Sequence, residues 1–191
     1  MEDFDKQNEG IEFENRVFLN RNFHYRDFYD CKFINCKFTG TVFEKCLFED
    51  CTFIECDLSL IKPKYCSFVD VKFKNCKAIG VNWAEAATPI SIDFYSCILN
   101  MSSFFGINLT KIIMTECVAK EVDFTEANLT KGNFEKTDFE KSRFLQTNLT
   151  QSNFRSSTNY DIDPECNLLK KTIFSLPEAI SFLSRLDIIL D

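Results

Sequence analysis

Large apolar residues recur at every fifth position through most of this chain. One run goes from Phe13 through Phe18, Phe23, Phe28, Phe33, Phe38, Phe43, Phe48 and Phe53 to Trp83. A second, shifted by one residue, goes from Phe94 through Leu99, Phe104 and Leu109 to Phe154. A period of five matches neither the 3.6 of a helix nor the 2.0 of a flat strand. It requires a chain that turns a corner after each short edge, and four such edges close a square coil of twenty residues. The triplets Asn108-Leu109-Thr110, Asn128-Leu129-Thr130 and Asn148-Leu149-Thr150 repeat at that spacing, as do Asp30, Asp50 and Asp70. Residues one coil apart should stack about 4.8 Å from one another, the usual strand spacing. The pattern therefore predicts an all-β solenoid, a parallel β-helix of about seven coils.

The position two before each Phe or Leu centre should also point inward, leaving three of every five residues outside. In the second run it is small or apolar: Val122, Ala127, Gly132, Thr137, Ser142, Thr147 and Ser152. In the first run it is often cysteine, and Cys31, Cys36, Cys46, Cys51, Cys56, Cys66, Cys76, Cys97 and Cys117 all occupy it. These nine of ten cysteines read as small apolar filler. The chain has no C-x-x-C pair and its single histidine is His24, so neither a zinc site nor a disulfide framework is indicated. A reducing cytoplasm is the expected compartment. The three Asn-Leu-Thr triplets match a glycosylation acceptor, but their leucines are centres and the segment MEDFDKQNEG does not read as a signal peptide. They read instead as an asparagine ladder bonded between coils. No apolar stretch approaches the ~20 residues that span a membrane.

Three irregularities interrupt the pattern. Arg16, Arg21 and Arg26 take inner positions in the first coil, where their charged heads must lean out of the open end, an N-terminal cap. Pro63 takes a centre position, which predicts a distorted corner. Between Trp83 and Phe94 one residue is gained around Ala86-Ala87-Thr88-Pro89. The organisation is then a lead-in at 1–10, the β-helix at 11–158 and a closing segment at 159–191. That segment predicts a short α-helix at about 176–187, with Ser175 as cap, Pro177 in the first turn and Glu178 completing a capping box. Its apolar residues exceed what one end of a tube needs, so Ile180, Phe182, Leu183, Leu186, Ile188, Ile189 and Leu190 are candidates for contact with a second copy.

The formal net charge is −7, which argues against a nucleic-acid binder built on phosphate contacts and suits a partner with a basic groove. The surplus is uneven: residues 1–60 carry 13 acids and 7 bases, residues 61–130 carry 7 and 7. By period, Asp27, Asp30, Glu49, Asp50 and Asp70 share one wall as an acidic ladder, a candidate partner surface. The plainer alternative is a solvated face that keeps rods from aggregating. A single histidine, five glycines and no paired-acid pocket supply no evident catalytic machinery, so no catalytic residue, cofactor or metal is expected.

The run from Glu126-Ala127-Asn128-Leu129-Thr130 to the stretch Thr137–Phe154 resembles the Ala/Cys/Ser–Asp/Asn–Leu/Phe repeats of pentapeptide-repeat proteins. The resemblance implies a right-handed quadrilateral β-helix. The ending, Asp161-Ile162-Asp163-Pro164 followed by Leu176-Pro177-Glu178-Ala179 and an apolar terminus, is similar to that of the Qnr/McbG group. This second likeness implies a DNA-mimicking homodimer, joined through the C-terminal helix, that protects DNA gyrase and topoisomerase IV from quinolones or microcin. A general protein-interaction scaffold with another partner is the alternative. The long projecting loops of some resistance members are missing here.

Overall fold

The computed structural model describes residues 4–185. Its strands are mostly three residues long, all pairings are parallel, and most paired residues lie twenty apart. On the first wall Gln7–Glu9, Asp27–Tyr29, Leu47–Glu49 and Ser67–Val69 stack in that order. The second wall carries Glu12–Glu14, Lys32–Ile34, Thr52–Ile54, Val71–Lys74, Ile92–Tyr95 and Met114–Thr115. The third wall is built from single bridges such as Val17 to Lys37 and Lys37 to Asp57. The fourth starts with Asn22–His24, Val42–Glu44 and Lys62–Lys64. The result is the quadrilateral parallel β-helix that the five-residue period requires.

The centres fill the tube. Phe28, Phe33, Phe38, Phe43, Phe48, Phe53, Phe73, Phe94, Phe104, Phe124 and Phe134 are fully buried. Rings one coil apart lie nearly parallel, as in Phe33–Phe53 at 4.5 Å and 8° or Phe104–Phe124 at 5.3 Å and 4°. Rings on adjacent walls meet edge to face, as Phe28–Phe33 does at 5.4 Å and 70°. Offset-stacked and T-shaped geometries are the two that the aromatic quadrupole favours. Each wall thus contributes a stack, and the stacks lock against one another at right angles.

The corners explain how three outward residues fit between centres. The residue two after each centre has positive φ along almost the whole rod, from Asn15 at 54° and Asp30 at 48° to Gln151 at 60° and Lys171 at 58°. Asn, Asp and Gly tolerate this left-handed region best, yet Leu60, Tyr65 and Met101 also adopt it here. The coil-to-coil bonds over-determine the conformation, because each corner N–H donates to the next coil, as Asp50 N does to Val69 O at 3.0 Å.

The inserted residue shifts the register at the expected place. Val71 pairs with Ile92 and Phe73 with Phe94, an offset of 21. Pro63, in contrast, does not distort its corner. It is buried in a regular strand opposite Phe43. Centre N–H groups normally donate to the carbonyl nineteen residues on, as Phe38 does to Asp57 O at 2.7 Å. Pro63 has no N–H for Asn82 O, and Asn82 O accepts from Glu85 N at 3.3 Å instead. The interruption is therefore displaced one coil, to the 3-10 turn Trp83–Glu85.

Both ends reach further than the repeat pattern predicts. The lead-in is part of the solenoid, since Gln7–Glu9 pairs with Asp27–Tyr29. Phe4 is the plug that the arginines are not: its ring meets Phe13, Phe18, Phe23 and Phe28, one on each wall, at 4.6–5.0 Å. Arg26 serves this plug by donating Nε to Phe4 O at 3.1 Å, while Arg16 is exposed. At the other end Asn153–Phe154 pairs with Ile173–Phe174. The second wall thus runs through Phe13, Phe33, Phe53, Phe73, Phe94, Met114, Phe134, Phe154 and Phe174, nine levels and about eight turns. At strand spacing that is roughly 38 Å.

The closing segment forms a 3-10 helix over Glu178–Arg185 rather than an α-helix at 176–187. Ile180 N bonds to Pro177 O at 2.9 Å, an i to i+3 pattern. Ser175 does not make the predicted capping box. Its Oγ accepts from Ser156 N at 3.1 Å and fastens the segment to the coil below.

Candidate nucleic-acid-mimicking surface

The inner columns supply the rigidity that any outer surface depends on. Cys36, Cys56, Cys76, Cys97 and Cys117 stack between the second and third walls, and each sulfur from Cys56 on accepts from the backbone N–H of the cysteine before it at 3.4 Å. Each thiol also reaches the carbonyl of a centre on the preceding coil, as Cys56 Sγ does with Phe33 O at 3.2 Å. Thr137 continues the column, accepting from Cys117 N at 3.3 Å and donating to Met114 O at 2.7 Å. The inner position is therefore a hydrogen-bonding relay as well as filler, which sequence reasoning missed. The recurrence of Ser and Thr at this position in the second run was the available signal. Burial pushes the Cys51 thiol up to about 12. No metal-binding group of His, Cys, Asp or Glu occurs among the described residues.

On the first wall, the structure sorts the five candidate acids into three positions. Asp30, Asp50 and Asp70 form an exposed column on the corner between the first and second walls, with φ of 48°, 53° and 52°. The corner favours aspartate because its short side chain suits the left-handed region. Glu49 stands beside this column, in register with Tyr29 and Val69. Asp27 lies at the other edge of the wall, in register with Leu47. Ser91 Oγ donates to Asp70 Oδ1 at 2.8 Å, which caps the acidic run. Glu9, hidden in the lead-in, stacks below Tyr29 in the column of Glu49. Extending the period of twenty back past Phe13 would have found it.

Beyond Ser91 the same wall carries asparagine and threonine on its face, and lysine at its corner in Lys111 and Lys131. Asn108, Asn128 and Asn148 do not form a simple ladder between coils. Each Oδ1 accepts from the N–H two residues on, at 3.3, 3.2 and 3.1 Å, an Asx-type local bond. One bond crosses coils, from Asn128 Nδ2 to Thr110 Oγ1 at 3.2 Å. Amide ladders of the expected kind occur on other columns, as between Asn35 and Asn15 at 2.6 Å.

The closing segment separates its apolar residues. Phe182 turns inward and meets Phe174 at 4.7 Å and Tyr160 at 5.9 Å, sealing the last coil. Ile180 and Leu183 are exposed, and Leu176 beside them is 78% exposed. Leu186, Ile188, Ile189 and Leu190 lie outside the described residues. No helix among the described residues is long and apolar enough to cross a membrane.

The repeat is also found by comparison with protein families. A family model described as a pentapeptide repeat region matches residues 26–89, and one described as pentapeptide repeats matches 102–140 and 120–155. The chain belongs to the pentapeptide-repeat family. Among solved structures it is similar to a trypsin-treated variant of QnrB1, a plasmid-mediated fluoroquinolone resistance protein. That match has a TM-score of 0.84 and 20% identity over 97% of this chain and 98% of the other. Full-length QnrB1 matches with a TM-score of 0.69 and 17% identity, over 95% of this chain and 100% of the other. At this identity the likeness is one of fold, carried along the whole length of the rod. No curated protein matches the sequence significantly.

Proposed function

We propose that this pentapeptide-repeat protein binds a type II topoisomerase, DNA gyrase or topoisomerase IV, in place of DNA, and so protects it from a quinolone or microcin. The observation that supports this reading is the acidic column Asp30, Asp50 and Asp70, with Glu49 beside it, on a rigid rod. Five-residue edges make the rod roughly 16–20 Å wide, near the width of a duplex. One carboxylate per coil, about 4.8 Å apart, is sparser than the duplex, which carries one negative charge per ~1.7 Å of axis. The surface therefore suits a basic groove without matching its full charge. The similarity to a fluoroquinolone resistance protein along the whole rod supports the same reading.

The functional unit in this proposal is a homodimer in the cytoplasm, joined through Ile180, Leu183 and the residues after them, with the acidic columns directed toward the far ends. The test is a supercoiling assay with purified gyrase, titrated with this protein in the presence and absence of a fluoroquinolone. Wild-type protein should restore supercoiling in the presence of drug, and the variant Asp30→Lys/Asp50→Lys/Asp70→Lys should not. Equal protection by both would remove the acidic column from the mechanism.

A further inference from the structure

The corner that carries the acids changes sign along the rod. Its nine levels read Gly10, Asp30, Asp50, Asp70, Ser91, Lys111, Lys131, Gln151 and Lys171. Backbone bonds join level to level, from Asp30 N to Glu49 O and Val71 N to Ser91 O up to Lys131 N to Thr150 O and Gln151 N to Lys170 O. The three aspartates and the three lysines are all exposed. Among the described residues none of the six lies in an ion pair.

Charges elsewhere on the rod behave differently. Glu12 pairs with Lys32 at 2.8 Å, Glu116 with Lys136 at 3.2 Å and Lys120 with Glu140 at 2.7 Å. Each of these pairs joins residues twenty apart, so opposite charges on neighbouring coils meet within the chain. On the Asp30–Lys171 corner, by contrast, acids occupy one half and bases the other. The nearest ladder neighbours are then alike or neutral, which leaves the column free to meet a column of opposite sign on another molecule.

We propose that two copies of this chain pair side by side and antiparallel along this corner. A two-fold axis through the Ser91 level overlaps all nine levels. It sets Asp70 against Lys111 and Asp50 against Lys131, each pair occurring twice, and Asp30 against the amide of Gln151. Parallel pairing would set like charges together, so the corner also specifies orientation. The pairing covers the acidic column, and a paired rod holds that surface away from other partners. It does not rest on the topoisomerase reading and is measured without any topoisomerase.

Sedimentation velocity of the full chain tests it. Raising salt from about 0.1 M to about 1 M shortens the Debye length from about 10 Å to about 3 Å, and should weaken self-association at least about tenfold. The variant Asp50→Lys/Asp70→Lys makes the four charged levels nearest Ser91 all basic, and Lys111→Glu/Lys131→Glu makes those four all acidic. Each should associate less than wild type alone, and an equimolar mixture of the two should associate again, because the pairs those four levels form across the Ser91 level are then all of opposite sign. Lys and Glu already occupy equivalent corners, at Lys45 and Glu55, so both variants keep the fold. A mixture no more associated than its components would overturn the proposal. The register has its own readout: Ser91→Cys in a Cys166→Ser background should give a covalent dimer with a short bis-maleimide linker. Association without that cross-link would overturn the two-fold at Ser91.

Discussion

Two kinds of residue decide whether a square coil of this sequence holds. The first is the centre. Phe33 is 1% exposed and stacks on Phe13 at 5.1 Å and Phe53 at 4.5 Å. Phe33→Ala should cost about 3–5 kcal/mol, read as a lower urea midpoint at unchanged slope. The second is the inner partner. Cys56 Sγ takes the N–H of Cys36 and reaches Phe33 O, so Cys56→Ala leaves the buried Cys36 N–H unpaired, at about 1–3 kcal/mol. Cys56→Ser should lose less, because Thr137 and Ser157 make the same carbonyl contact further along the column. Equal losses for Ala and Ser would reduce the thiols to filler. The centres were legible in the sequence because burial leaves a large-residue signature at a fixed period. The relay was not, because cysteine as filler and cysteine as hydrogen-bond partner look alike in a string.

At the level of the element, each wall is a ladder of strands of two to four residues or of single bridges, too short to stand alone and stable only by stacking. That explains why a local defect moves instead of spreading, as Pro63 shows by leaving its own strand intact and turning Trp83–Glu85 into a 3-10 turn. Sequence reasoning put the distortion at the proline itself, since the pattern does not reveal which carbonyl a missing N–H leaves behind. The ends were misjudged for a related reason. Phe4 and Phe174 cap the tube with rings, and Phe4 lies outside the five-residue grid that defined the repeat. The closing 3-10 helix divides its labour, with Phe182 inward and Ile180 and Leu183 outward. Ile180→Glu with Leu183→Glu should therefore abolish tail-to-tail association, seen as a halved mass by light scattering, while the thermal transition of the rod stays in place. An unchanged mass would assign those residues to capping alone.

On the scale of the whole molecule, the rod is polar. One corner runs from Asp30, Asp50 and Asp70 to Lys111, Lys131 and Lys171 over roughly 35 Å, seven coil steps at strand spacing. The acidic half was legible from the period of twenty alone. Its separation from Asp27, at the far edge of the same wall, required the wall itself. The same column is asked to meet a basic groove and to pair with a second copy, and both encounters weaken with salt. They differ in what else is present, and a competition measurement separates them. A fluorescent duplex bound to purified DNA gyrase is titrated with this protein at constant salt. Wild-type protein should displace the duplex, and Asp30→Lys/Asp50→Lys/Asp70→Lys should fail to displace it at the highest concentration reached. Displacement by the triple variant as effective as that by wild type would contradict the claim that the acidic column stands in for DNA.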